Sequence, residues 1–159
     1  MKGDPNVIEL LNEVLTSELT AINQYFIHYK MLENWGYKRL AAVKHKESIE
    51  EMQHADKVIE RILYLDGIPN MQRLSPIKVG ENAVEMHEVD LKLEEAAVDR
   101  LNRGIALATQ AGDNGSRALL EEILVDEEEA IDWLEAQLGI IKEIGKERYL
   151  AEMIGSDQA

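Results

Sequence analysis

The 159-residue chain carries 31 acidic side chains against 17 lysines and arginines, a formal net charge of −14, and no cysteine. Such a surface repels nucleic acid and anionic lipid, and without thiols there is no disulfide, iron–sulfur cluster or thiolate site, so any metal must be held by carboxylate, imidazole or thioether. A 45% hydrophobic content at this length predicts one domain over residues 1–159 with a sizeable core.

The opening MKGDPNVIEL has no apolar core of the signal-peptide kind, and no apolar run approaches the length of a membrane span. A cytoplasmic location is therefore expected. Glycine and proline are scarce while alanine, leucine, glutamate and lysine abound, which favours helix. Asp4-Pro5 reads as an N-cap acid followed by proline at the first helical position, opening a helix that runs to residue 34 and stops at Trp35-Gly36. A second helix is predicted over 38–66, with Gly67 as its C-cap. Residues 68–82 (IPNMQRLSPIKVGEN) hold two prolines and a glycine and lack helical periodicity. A third helix follows over 83–111, stopped at Gly112, then the turn GDNGS and a fourth helix over 116–144 closed by Gly145. KERYLAEMI reads as a short tail helix.

Linker lengths set the expected topology. Short first and third links make helices one and two antiparallel, and three and four likewise. The middle link reaches roughly 50 Å when extended, and a helix of this size is roughly 42 Å long. The link can therefore run the length of the bundle and set helix three parallel to helix two. The expected fold class is all-α: a ferritin-like four-helix bundle with one long crossover and a short C-terminal helix.

Apolar residues recur at three-four spacing along each helix, and each stripe is broken near its middle by a glutamate. Glu18 interrupts Ile8, Leu11, Leu15, Ile22, Tyr25, Tyr29 and Leu32. Glu51 and His54 interrupt Leu40, Val43, Val58, Ile62 and Leu65, with Glu47 one turn earlier. Glu94 lies among Val84, His87, Leu91, Val98, Leu101, Ile105 and Ala108. Glu127 lies among Leu120, Ile123, Ala130, Leu134, Leu138 and Ile141. With the topology above, Glu18, Glu51, Glu94 and Glu127 fall in one slab roughly 8 Å thick. Unpaired buried carboxylates cost several kcal/mol each, so four in one core call for a cation, protons or partners, and a small cluster of hard cations would satisfy them all. Glu51-x-x-His54 adds an imidazole on the same helix face.

Beyond the slab, His87 reads as structural, His28 and His45 as surface or interface residues, and Asp126, Glu128 and Glu129 as a solvated acidic face. Tyr25 is open between packing with a satisfied hydroxyl and a redox-active neighbour of the site. Glu47 is open between guiding a cation inward and an ordinary solvated or paired acid. Met52 alone would read as packing.

The segments MKGDPNVIELLNEVLTSELTAINQYFIHYKMLENWGYKRL, ESIEEMQHADKVIERILYLDGIPN and DEEEAIDWLEAQLGIIKEIG resemble the bacterioferritin family, and the similarity covers nearly the whole chain. The resemblance implies a homo-oligomeric hollow cage of two dozen subunits built from two-fold dimers. It implies storage of ferric mineral, oxidation of Fe(II) by O2 or peroxide at a di-iron site within each bundle, haem b held between paired subunits by a methionine from each, and a ferredoxin-type reductant. By position, Glu18, Glu51, His54, Glu94 and Glu127 match the iron ligands, with Glu51 and Glu127 bridging. Tyr25 matches a tyrosine beside the iron site, and Met52, within EEMQHAD, matches the haem ligand. One ligand departs from the pattern: the family's second Glu-x-x-His would place histidine where this chain has Ala130, so the second iron should bind more weakly. Lys46, with Glu50 nearby, stands where many relatives carry a cavity-side histidine, which weakens an inner-surface iron site. The leading reading is an iron-storage subunit with impaired ferroxidase chemistry. The alternative is a haem-bearing structural and electron-conduit subunit with little such activity, and a third is a di-iron oxidase or peroxidase of another ferritin-like family.

Overall fold

The computed structural model describes residues 1–155; residues 156–159, which the single-domain expectation includes, lie outside the described residues. The helices are α1 (Pro5–Trp35), α2 (Lys38–Tyr64), α3 (Ala83–Gln110), α4 (Asn114–Ile144) and the short α5 (Lys146–Ala151). No strand occurs among the described residues. The expected four-helix bundle with a short C-terminal helix is what the chain forms.

Local chemistry sets the helix ends. The Asp4 side chain accepts from the amides of Asn6 and Val7, with Pro5 behind it, and α1 ends where Gly36 turns left-handed at φ 93°. Asn82 caps α3 through the Glu85 amide at 2.9 Å. Asp113 caps α4 through the Ser116 amide at 3.0 Å, so that helix starts at Asn114, slightly ahead of the predicted residue 116. At the end of α2 the left-handed residue is Asp66, at φ 60°, rather than Gly67. Gly67 closes the helix by donating its amide to the Ile62 carbonyl at 2.9 Å, and it is glycine because a Cβ there would strike Ile8 and Ile62.

α1 packs on α2 and α3 on α4, and the two hairpins meet through α1–α3 and α2–α4. The crossover lies along α1, held by polar side chains four residues apart. Asn12 binds the Ile68 carbonyl and the Asn70 amide, Thr16 accepts from Arg73, Thr20 from the Ser75 amide, Gln24 from the Lys78 amide and His28 Nε2 from the Gly80 amide. Residues 68 to 80 thus advance with residues 12 to 28. The crossover runs the bundle's length parallel to α1, and α3 is delivered parallel to α2.

The apolar core falls into two clusters. One gathers Leu11, Leu15, Val58, Ile62, Leu101, Leu120 and Ile123; the other gathers Leu32, Leu40, Ala83, Met86 and Tyr149. Each helix passes its mid-length glutamate between them.

Candidate metal centre

Glu18 on α1, Glu51 and His54 on α2, Glu94 on α3 and Glu127 on α4 are all buried. One donor atom from each of Glu18, Glu51, His54 and Glu127 lies within 4.8 Å of the others. His54 Nδ1 stands 3.1 Å from Glu127, 3.6 Å from Glu18 and 3.8 Å from Glu51. Proximity here is not hydrogen bonding: among the described residues Glu18 Oε2, His54 Nδ1, Glu94 Oε2 and Glu127 Oε1 are buried with no aligned partner. Buried polar atoms left unpaired cost about 1–3 kcal/mol each. Converging lone pairs from three carboxylates and an imidazole are the donor set of a hard or borderline divalent cation, so the residues present fit a metal ion.

Glu94 lies beside that quartet, its carboxyl group interacting directly with that of Glu127. Its Oε1 accepts from the Tyr25 hydroxyl at 2.7 Å, so Tyr25 has a satisfied hydroxyl and also anchors a member of the carboxylate cluster. The electrostatics record the crowding. Burial raises the pKa of Glu18. Burial, followed by the charges of neighbouring glutamates, lifts Glu51 and Glu94 well above the ordinary range, and Glu127 to about 7. For His54 burial opposes the charge, but the carboxylates of Glu127, Glu18 and Glu51 outweigh it, and its pKa lies above the usual value. Glu47 is half-buried, and burial together with Glu50 and Glu51 lifts it to about 7; it is not a freely solvated acid.

Three expectations need correction or extension. Asp126 is not merely part of a solvated face: its Oδ2 accepts from His54 Nε2 at 2.8 Å, which orients the ring so that Nδ1 faces the glutamates. His28 is not a surface residue but fully buried, because the crossover covers it. His87 is structural as expected, though it belongs to a network that the sequence reading did not find. At its centre Lys44, 1% exposed, donates to Asp90 Oδ2 at 2.8 Å and to His87 Nδ1 at 3.0 Å. Asp90 also accepts from Gln24 at 2.8 Å and from His28 Nδ1. His87 Nε2 reaches the Tyr149 hydroxyl at 2.9 Å, which donates to Gln137 at 2.7 Å. Desolvation, then the Lys44 charge, lowers the His87 pKa to about 2 and keeps the ring neutral.

Ala130 is buried on the α4 face of the centre. It lines a recess with Tyr25, Lys44, Glu47, Trp133 and Leu134 that has no room for a water molecule. His45 is exposed and stacks on Tyr29 with ring centroids 4.3 Å apart. Met52 is 53% exposed and faces away from the carboxylates.

The ferritin-like domain model matches residues 8–144. Bacterioferritins of Mycobacterium bovis and Mycobacterium leprae are 49% and 50% identical over 154 residues, covering 97% of this chain and of each relative. That of Streptomyces coelicolor is 48% identical over 158 residues, covering 99% of this chain and 95% of the relative. With its helical bundle, this near full-length similarity means that the chain belongs to the bacterioferritins, within the ferritin-like domain family.

Proposed function

We propose that this chain is an iron-storage cage subunit that takes up ferrous iron as substrate at the intra-bundle centre, oxidises it slowly with O2 or peroxide, and passes ferric product to an internal store. The observation that carries this reading is the set of orphaned buried donors on Glu18, His54, Glu94 and Glu127. The metal would supply the redox chemistry, and the chain supplies hard ligands and position. Glu18 and His54 would hold one ion, Glu51 and Glu127 would be shared, and Glu94, steadied by Tyr25, would serve the second. Asp126 would orient the imidazole toward the ion. Protons held by the carboxylates leave as the cation enters, and Glu47 offers a half-buried carboxylate beside the cluster. Because Ala130 cannot ligate, the second ion is held weakly, and the geometry needed for rapid paired oxidation is lost.

Stopped-flow absorbance after mixing with ferrous iron in air tests this. A slow rise without a fast initial phase is expected, and Ala130→His should recover part of that phase because position 130 follows Glu127 by one turn. A complete fast phase of two irons per subunit in the unaltered chain would show that Ala130 does not matter. Inertness of both proteins would remove the ferroxidase reading.

A second reading, a haem b-bearing structural subunit, is favoured by the outer face of α2. His45, Ile49 and Met52 follow one another at helical spacing and are exposed, offering a thioether beside apolar surface. The two readings are compatible in one cage, with cytoplasmic placement and a ferredoxin-type reductant as the accompanying expectations.

A further inference from the structure

Position 130, where the family resemblance implies an imidazole, is Ala130, and beside it stands a buried charge. Lys44 lies two turns before Glu51 on α2 and is almost completely buried. Its Nζ sits 5.7 Å from the Tyr25 ring centroid and 5.5 Å from that of Trp133. Tyr25 is the residue that holds Glu94, and Lys44, Tyr25, Trp133, Glu47 and Ala130 together enclose the recess where a side chain longer than alanine would have to stand. Behind Lys44, Asp90 is already engaged by Gln24 and His28, so the ion pair has its negative end in that polar network and its positive end toward the aromatic wall of the centre.

The geometry points to Lys44 as a specificity-determining residue: a resident internal cation that disfavours a second metal ion on the Glu94–Ala130 side and sets the centre for one ion. This deepens the reading of the centre as a metal site and rests on it. A cation bound at Glu94 would have the Lys44 ammonium on the far side of the Tyr25 ring, and like charges repel more strongly in a water-poor core than in solvent; a buried ammonium paired to Asp90 cannot swing away without leaving a buried charge unpaired. The ammonium stands against Tyr25, the residue that holds Glu94, whereas the close quartet of donors is Glu18, Glu51, His54 and Glu127. It therefore affects the two halves unequally: the quartet stays open to a first ion, while the second meets both a missing ligand and a standing like charge. Ala130→His alone restores the ligand but not the charge balance, and its imidazole must enter a recess that Lys44 and Trp133 already fill.

Anaerobic calorimetric titration with zinc separates these effects. The unaltered chain should show one tight site per subunit and a weak second. Lys44→Gln keeps an amide donor toward Asp90 without the charge, and Lys44→Met with Asp90→Asn removes the buried pair together. Both should leave first-site affinity unchanged and raise second-site affinity at least tenfold, and combining either with Ala130→His should exceed Ala130→His alone by a similar factor. Thermal unfolding of each variant confirms that the titrated protein is folded, and Lys44→Gln supplies the answer should the double variant fail to fold. Second-site affinity unchanged in folded charge-removed variants, with the first site intact, would overturn the role of Lys44 and leave the metal centre standing. Absence of even the first site in the unaltered chain would instead overturn the metal-centre reading on which the inference rests.

Discussion

His54 is gripped from two sides, and the two contacts do different things. Nδ1 faces the glutamates without a hydrogen bond, while Nε2 is bonded to Asp126. A carboxylate behind a ligating imidazole fixes its tautomer and ring angle and raises its basicity. Asp126→Ala should therefore weaken zinc affinity about 10–100-fold. Because the change also unpairs the Nε2 of a buried His54, metal-free unfolding free energy should fall by about 1–3 kcal/mol. A titration in which Asp126→Ala binds zinc as tightly as the parent would show that His54 needs no such support. The same cluster fixes a pH dependence. In metal-free protein Glu127 and Glu47 have pKa values raised to about 7, so the folded state binds more protons than the unfolded and stability from these groups falls as pH rises through that value. The His54 contribution, with its pKa also raised, is complete below its unfolded value near 6.5 and declines above it. His87 works oppositely, its contribution being lost on acidification below about 6.5, and it is silent above. From pH 6.5 to 8 the shifts at the centre therefore share one sign. Scanning calorimetry in chelator should show Tm falling over that interval, and saturating zinc should abolish or reverse the trend, since the metal binds the deprotonated ligands. A metal-free Tm that rises from pH 6.5 to 8 would contradict this.

At the scale of whole elements, the smallest helix is secured by tertiary contacts: Leu150 and Met153 pack on the Leu32–Leu40 cluster, the Arg39 amide donates to the Met153 carbonyl, and the Tyr149 hydroxyl is hydrogen-bonded. α5 has six residues, too few to be stable on its own, and Tyr149 is its buried anchor, placed between His87 and Gln137. Tyr149→Phe keeps the ring and unpairs both partners, so it should cost about 1–3 kcal/mol in denaturant unfolding while leaving zinc affinity unchanged; a matching loss of affinity would mean that α5 supports the centre directly. The Tyr149 network also marks the boundary of what could be read in the residues alone. The carboxylate slab was legible because four apolar stripes were each broken near mid-length, and equal depth on the four helices of a bundle is a geometric statement. The crossover topology was legible from linker length. The Lys44–Asp90–His28 network was not, because α1 is covered on two sides. Its stripe through Leu11, Leu15, Glu18 and Tyr25 faces the other helices, while Asn12, Thr16, Thr20, Gln24 and His28 face the crossover. That second series repeats every four residues, a signal present in the sequence but spelled in polar letters, which a search for apolar periodicity passes over. Lys44 and Asp90 fell outside the stripes for the same reason, and only their pairing across α2 and α3 makes their burial tolerable.

The molecule as a whole leaves much apolar surface uncovered. On the crossover Ile68, Met71, Leu74, Ile77 and Val79 are all exposed, as are Phe26 on α1 and Ile49, Met52 and Tyr64 on α2. Apolar side chains accumulated on one connection and its neighbouring helices, in a chain of net charge −14, fit burial against another copy better than they fit free solvent. A two-fold contact is self-complementary, so a residue near its axis meets its own counterpart. Met52 placed there would present two thioethers to one haem. Three measurements bear on this together. Light scattering on the native protein should give a mass near that of two dozen chains. Haem titration should saturate at about one haem per two chains with a bis-thioether spectrum, and Met52→Leu should lose that spectrum without changing the mass, because leucine keeps the apolar contact. Ile49→Lys, on the same face one turn away, puts like charges against each other across the axis and should both reduce the mass and prevent haem uptake. Retention of the spectrum in Met52→Leu would remove Met52 as the ligand. A haem-binding monomer in Ile49→Lys would remove the two-fold site, and a native protein that is itself a stable monomer would remove the storage cage whatever the metal centre does.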